Sequence, residues 1–597
     1  MIRLRKWFHL DALRDDRGMA LAIAVIFGTV VVFMIATATS VAVAGIKKSS
    51  TDADWNAALS AAYAGVQDYE ARLSNDTGYT QYGNSSAPFS STSTGLTLPT
   101  GGATNPAFGT GAAGTWAAVP GGDGKSLYRY EVDSSKYYDT GVIRVRSTGK
   151  VGTSVRSVVA SIRQQGFIDF LYFTDYEIQD PVMTNVDPAT CVKHAWEGRP
   201  TSSSRNVCGE IAFSGGDTID GPAHSNDTMR ICQATFTSQI TTSNPTSGLR
   251  YSRVDSNGSS CTGQRFPAGV TQPAFTSTIG MPSTNAQQKA ATQYNTTATS
   301  TRSPGCLYTG PTDITFNADG TMTVKSPRSI KTQTDATDPT SGRTPAACGI
   351  PGTGAGQLGS ASGATVPVPE NNLVYVQNVP QAGDANATTT AKLPDACNPT
   401  SGNGVGYPRA GEAQLSTTPC SYGTRSGDAF VHGVLDGQVT VAAENYLYVT
   451  GDMTYEDRGA DMLGLTATNA VMVWNPVKAV SCGFSTCYSS ILGDSDREID
   501  AAIISAAHTF QVQNYAYGGD RGTLTVYGAI AQKFRGVVRQ GSNGYVKAYQ
   551  YDARLKHSAP PSFLNPVTTT YGVTTMAEVS PAFVTSGDCA KKAGVCV

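Results

Sequence analysis

The sequence predicts an α+β fold that becomes mostly β: a long N-terminal helix, a small antiparallel sheet, then a large β-rich region. Three observations lead there. An uncharged apolar run near the start passes without a proline into an amphipathic stripe. Short alternating segments follow it. The longest remaining stretch is rich in Gly, Ser, Thr and Asn, with brief β-branched runs between turn residues. Charged residues make up 15% of the 597, well below the usual quarter or so, a profile suited to an exported, strand-rich protein. The length allows about two to four domains. A net charge of -2 gives no electrostatic case for nucleic acid as a main partner.

Arg3, Arg5, Lys6, Arg14 and Arg17 precede a run without charge from Met19 to Ile46. As a helix that run spans roughly 42 Å, more than the hydrocarbon of a bilayer. The basic residues before it place the N-terminus in the cytoplasm, and the run is too long for the apolar core of a secretory signal peptide. Beyond it Trp55, Leu59, Ala62, Val66 and Tyr69 recur at steps of four and three, one apolar stripe on a continuing helix. No proline interrupts 19–74. One helix of about 56 residues is expected, half in the membrane and half projecting.

Here the residues resemble a known family. Asp15-Asp16-Arg17-Gly18-Met19-Ala20-Leu21-Ala22-Ile23 looks like the leader junction of type IV prepilins, and Trp55 to Val66 is similar to a segment of PilX-like minor pilins. The resemblance covers 14–74. It implies a leader, 1–18, cut between Gly18 and Met19 by a prepilin peptidase, and a helix that assembles with other pilin subunits. It departs from the family at two positions where a glutamate is usual, which here are Ile23 and Tyr63. That departure implies a minor or tip-located subunit rather than a major one.

Residues 75–125 read as a loop or linker. Tyr128–Val132, Val142–Arg146 and Val155–Ile162 are strand candidates, so that 75–165 forms a loop plus a pilin-like sheet. The stretch 166–570 is a large β-rich domain, a β-helix or an elaborated β-sandwich, carrying strands at 438–442, 445–449, 524–527 and 545–549. No fixed repeat period is visible. Residues 351–368 and 381–410 read as surface loops, and 571–597 as a C-terminal tail of little pattern.

All twelve cysteines lie after residue 190, as expected for disulfides formed outside the cytoplasm. Two local pairs are expected, Cys482 with Cys487 and Cys589 with Cys596. Gly124-Lys125-Ser126 resembles the end of a phosphate-binding loop, but its first glycine is replaced by Val119. The six histidines, His9, His194, His224, His432, His508 and His557, are scattered without metal-ligand spacing. Asp494, Asp496, Glu498 and Asp500 alternate, which on an extended segment sets four carboxylates on one face, a candidate calcium site or else a solvated edge. Tyr446, Tyr448, Tyr455, Tyr515 and Tyr517 either line a binding surface or pack.

The functional expectation is a non-enzymatic minor or tip subunit of a type IV pilus. It is anchored in the membrane, displayed at the cell surface, and presents its β-rich domain for adhesion to a glycan or protein or for pilus assembly. No cofactor is expected beyond the candidate calcium. A membrane-anchored, β-helical polysaccharide-degrading enzyme and a plain anchored surface protein are the alternatives.

Overall fold

The computed structural model describes residues 16–84, 89, 96–99, 104–108, 115–122, 124–135, 137, 142–164, 166–200, 207–255, 258–295, 304–388, 401–415, 421–493, 495–556, 558–566, 571–582, 591–592 and 595–596. Two compact units divide the chain. The first takes Met1–Tyr137, Val142–Arg163 and Tyr571–Val597; the second takes Tyr138–Gly141 and Gln164–Thr570. In sequence, the second is an insertion into the first.

The first unit is a helix laid on an antiparallel sheet. Helix α1 runs Asp16–Asn75, continuous because alanines dominate 57–64 and nothing breaks the hydrogen-bond ladder. The strands are β1 (Leu127–Asp133), β2 (Val142–Val151) and β3 (Ser154–Gln164). β1 pairs with β2 and β2 with β3, both antiparallel. Between β2 and β3 the chain reverses through Gly152, whose φ of +57° suits a tight hairpin. These strands and α1 match the elements expected from the sequence.

The helix face that meets the sheet is made of small residues. Ala58, Ala61, Ala62, Val66, Tyr69 and Leu73 are buried, while Trp55 and Leu59, expected in the stripe, are half-buried at its flank. The physical reason is a close approach. A Cβ at Gly149 of β2 would stand 2.0 Å from the Ala58 carbonyl oxygen, and one at Gly65 would stand 2.2 Å from Ser147 Oγ. Toward the end of the helix the gap widens and aromatic rings fill it: Tyr69, Tyr79, Phe108 and Tyr130 meet edge-on or tilted at 5.5–6.5 Å. Asp68 accepts from the Tyr130 hydroxyl at 2.8 Å and from Arg72 Nε at 2.9 Å.

The stretch after 570 was expected to be a tail. Instead Tyr571–Val579 is the strand beside β3 in this sheet. Thr574 Oγ1 donates to the Ser161 carbonyl, Arg156 grips Glu578 through two bonds of 2.7 and 2.6 Å, and Ala582 N donates to Ser157 Oγ. The alternation that marks a strand was hidden by its threonines. Residues 75–165 therefore do not complete the first sheet alone.

The second unit is a β-helix of stacked parallel strands. Its labelled strands are β4 (Tyr172–Tyr176), β5 (Thr218–Asp220), β6 (Ala223–Ser225), β7 (Ile240–Thr242), β8 (Cys306–Thr309), β9 (Thr312–Asn317), β10 (Thr321–Lys325) and β11 (Asn372–Gln377). They continue with β12 (Ala429–Leu435), β13 (Gln438–Ala443), β14 (Leu447–Tyr455) and β15 (Met462–Ala467). The last are β16 (Val471–Val473), β17 (Arg497–Val512), β18 (Asp520–Phe534) and β19 (Asn543–Tyr551). One register line joins Cys306, Val374, Val441, Leu465, Ile503, Ile530, Tyr172, Ala223 and Ile240 across successive layers. All nine side chains are buried in one core cluster. A buried aliphatic side chain contributes about 1.5–3 kcal/mol of transfer free energy, so the stack is the main source of cohesion.

The layers do not follow the chain from end to end. The insertion begins at β4, in the middle of the stack, and runs outward through β6 and β7. It resumes at β8, at the other extremity, and works back to β18 and β19. β4 and β19 both pair in parallel with β18, so the first and last strands share one layer. The step between paired residues varies: it is 17 at Ala223↔Ile240, 24 at Leu447↔Val471, 39 at Val471↔Phe510 and 68 at Cys306↔Val374. This is why no repeat period shows in the sequence. The step from Val471 to Phe510 holds an inserted hairpin, Val477–Cys482 with Ser485–Ser490.

Candidate functional site: the apolar half of α1 and the outer face of the β-helix

From Met19 to Ser50 every helical residue is exposed, including Phe27 at 71% and Phe33 at 73%. The segment from Met19 is long and apolar enough to cross a membrane by length and composition. Three of its hydroxyls are satisfied within the helix: Thr29, Thr37 and Thr39 donate to the carbonyls of Ile26, Phe33 and Ile35 at 2.7–2.9 Å. Gly18 and Met19 both lie within α1. Ile23 and Tyr63, where the resembled family carries glutamate, are 56% and 38% exposed.

The acidic quartet is divided. Asp494 lies outside the described residues. Asp496 Oδ1 accepts from Thr523 N at 2.8 Å. Glu498 and Asp500 do share a face, as alternation requires, and the cation they meet is Arg458. Its guanidinium reaches Glu498 at 2.5 Å and both Asp500 oxygens at 2.9 Å. Among the described residues no three His, Cys, Asp or Glu side chains gather as a metal site would need. Tyr446, Tyr448 and Tyr455 are buried and Tyr515 half-buried; of the five tyrosines only Tyr517, 38% exposed, faces solvent. The first two are covered by the segment around Tyr407 and Tyr422, part of which was expected to be a surface loop. Tyr407 stacks on Phe430 at 4.1 Å, and Tyr422 accepts from Trp474 Nε1 at 2.9 Å.

Cys482 and Cys487 form a disulfide, as do Cys191–Cys208, Cys232–Cys261 and Cys306–Cys348, and no described cysteine is free. Cys589 lies outside the described residues, and so does the side chain of Cys596. Gly124-Lys125-Ser126 closes a turn in which Val119 N donates to the Ser126 carbonyl, with no helix after it.

The β-helix also assembles a group that the sequence did not reveal. Core residues Ile314, Val431 and Val449 point inward, so Asp313, Thr315, His432 and Thr450 point out. Thr315 lies opposite His432, and Asp313 opposite Lys325. His432 Nε2 meets Thr315 Oγ1 at 3.3 Å and its Nδ1 meets Thr450 Oγ1 at 3.1 Å. Burial holds His432 below the usual imidazole range against the pull of Asp313, with Arg409, Arg497 and Lys325 adding to the depression. Burial likewise pushes Asp313 up, opposed by His432, Lys325 and Arg409. These residues sit up to 184 positions apart in sequence, Asp313 to Arg497, and nothing local marked them.

No protein-family model matches this chain, and no curated protein matches it by sequence. Among solved structures, the competence-associated pilin ComZ from Thermus thermophilus aligns with 88% of this chain and 97% of its own, at 11% identity and a TM-score of 0.23. A likeness that slight carries neither fold nor function.

Proposed function

We propose that this chain is a pilus-related subunit, anchored in the membrane and joined to other subunits through α1, and that it serves as a minor or tip component. The single observation carrying the reading is the division of one unbroken helix. Its first half exposes an apolar surface on every side, and its second half seals an antiparallel sheet through Gly149 and Ala58. A bare membrane anchor has no need of that packed second half. The prepilin-like junction at Gly18–Met19 and the segment 55–66 support the same reading. On this proposal a prepilin peptidase cuts after Gly18, the inserted β-helix is displayed at the surface for adhesion, and the subunit performs no catalysis. Mass-spectrometric mapping of the mature N-terminus in sheared surface filaments tests it. The expected start is Met19, and Gly18→Phe should leave the chain unprocessed and absent from filaments. A mature chain that begins elsewhere sinks the reading.

A further inference from the structure

The hairpin that interrupts the step from Val471 to Phe510 stands outside the stack. Among the described residues its arms, Val477–Cys482 and Ser485–Ser490, pair only with each other, apart from one bridge between Ser489 and Gly518. Its base is fixed. Val477 is buried, Ala413 N donates to the Val477 carbonyl at 2.7 Å, and the Tyr488 ring meets Tyr517 at 5.0 Å. Its tip is free, with Phe484 113% exposed. A two-stranded hairpin is marginal on its own in water, so the arms depend on the Cys482–Cys487 disulfide that ties them.

Access sets this disulfide apart from the other three that are described. Cys191–Cys208 and Cys306–Cys348 are buried at both ends, and Cys232–Cys261 at one. Cys482 is exposed and Cys487 half-buried. An external thiol reaches the buried bonds only after the coils around them open, whereas it reaches Cys482 with no opening at all. The ring is also the smallest: 5 positions separate its cysteines, against 17, 29 and 42 in the others. It therefore constrains the unfolded chain least, and breaking it leaves the stack standing. Register puts Lys478, Val480 and Cys482 on one face, with Cys487 opposite Val480. Lys478 is the one charge in 477–490, and a cation on that face favours departure of the Cys487 sulfur as thiolate.

We propose that Cys482–Cys487 is a thiol-exchange site whose substrate is a dithiol, and that exchange switches the Phe484 tip between a held and a loose form. One thiolate of the dithiol attacks Cys482 Sγ and forms a mixed disulfide. The Cys482–Cys487 bond breaks, its electron pair leaves on Cys487 Sγ, and that sulfur takes up a proton. The second thiolate then displaces Cys482 Sγ, which is protonated in turn. The chain gains two electrons and two protons, and the dithiol is oxidised to a disulfide. With the tie gone the ladder frays from the tip, while the contacts of Val477 and Tyr488 keep the base on the stack. The oxidised form is the one that presents an aromatic ring in a fixed place, ready for contact without further ordering. This exchange uses no part of α1, so it stands apart from the pilus assignment.

The test uses the full chain in detergent micelles, treated with dithiothreitol for graded times, alkylated, and mapped by peptide mass. Cys482 and Cys487 become alkylated at least about tenfold faster than the other three described pairs. At the time when this pair alone is open, hydrogen exchange over 478–488 rises about tenfold or more, while β16 and β17 keep their protection. The double variant Cys482→Ser/Cys487→Ser shows the same raised exchange without reductant, which separates loss of the tie from any other action of the thiol. Alkylation of another described pair at the same rate overturns the proposal. So does unchanged exchange over 478–488, in the reduced chain or in the double variant.

Discussion

The two units solve the same problem, burying apolar surface, in opposite ways. In the first, one helix is drawn onto one sheet, and cohesion is concentrated where backbones nearly touch, at Gly149 against Ala58 and Gly65 against Ser147. In the second, the apolar core is a ladder of like side chains repeated over nine layers. The difference teaches where each is vulnerable. A contact without slack fails at a point; a ladder shares a defect with the layers on either side.

The largest expected effect is at Gly149. Gly149→Val forces a Cβ into the Ala58 carbonyl and should cost about 4 kcal/mol or more. Hydrogen exchange read by segment should show 58–73 and 127–162 losing protection while β13 to β18 keep theirs. Loss of protection in both units would break the comparison. Next comes Leu465→Ala in the ladder. It should cost about 3 kcal/mol, with the extra exchange confined to β13, β15 and β17; a spread into α1 would count against two separate cores.

Acid sharpens the contrast through His224, buried against Phe173 and bonded to Thr241 and Asn226 at 2.9 Å. Burial lowers its pKa to about 4 from 6.5, although the Asn226 bond pulls the other way. The unfolded chain therefore binds the proton more readily, and stability falls as pH drops from about 6.5 toward 4. Between pH 7.5 and 5 this imidazole alone should cost about 2 kcal/mol. Urea midpoints at the two pH values measure it, and His224→Gln should flatten the dependence; an unchanged slope would remove His224 as its source. The smallest effect belongs to Glu498→Gln, which leaves Arg458 bound to Asp500. The Glu498 carboxylate is 43% exposed, so the change should stay near 0.5 kcal/mol. Asp500→Asn, at a buried carboxylate, should cost distinctly more in the same melts.

Legibility followed locality. The continuous helix and β1 to β3 could be read from spacing because their partners lie within a few dozen residues. The strand Tyr571–Val579 could not, since its partner β3 is hundreds of positions away and its own threonines blur the alternation. For the second unit the sequence showed strands but left β-helix and sandwich both open, because steps of 17, 24 and 39 residues leave no period to detect. At the acidic segment alternation correctly put Glu498 and Asp500 together and missed the cation, Arg458, which sits one layer away. For Tyr446 and Tyr448 the sequence left a binding surface and packing both open; they pack, and the lid that buries them comes from the segment around Tyr407 and Tyr422. Asp313 and His432 carried no local sign at all.

The shared layer of β4 and β19 has a consequence for how the chain is made. Tyr172 finds its neighbour Ile530 only after most of the insertion has been synthesised. Until then the early coils around β5 to β7 have no β18 to rest on, and the later coils end in an unpaired strand. Any chain stopped short of residue 534 thus exposes open β-edges, the surfaces most prone to pairing with the wrong molecule. Closure of this β-helix is a single late event, and a cell exporting it must keep two half-stacks apart from their copies until the last coil arrives.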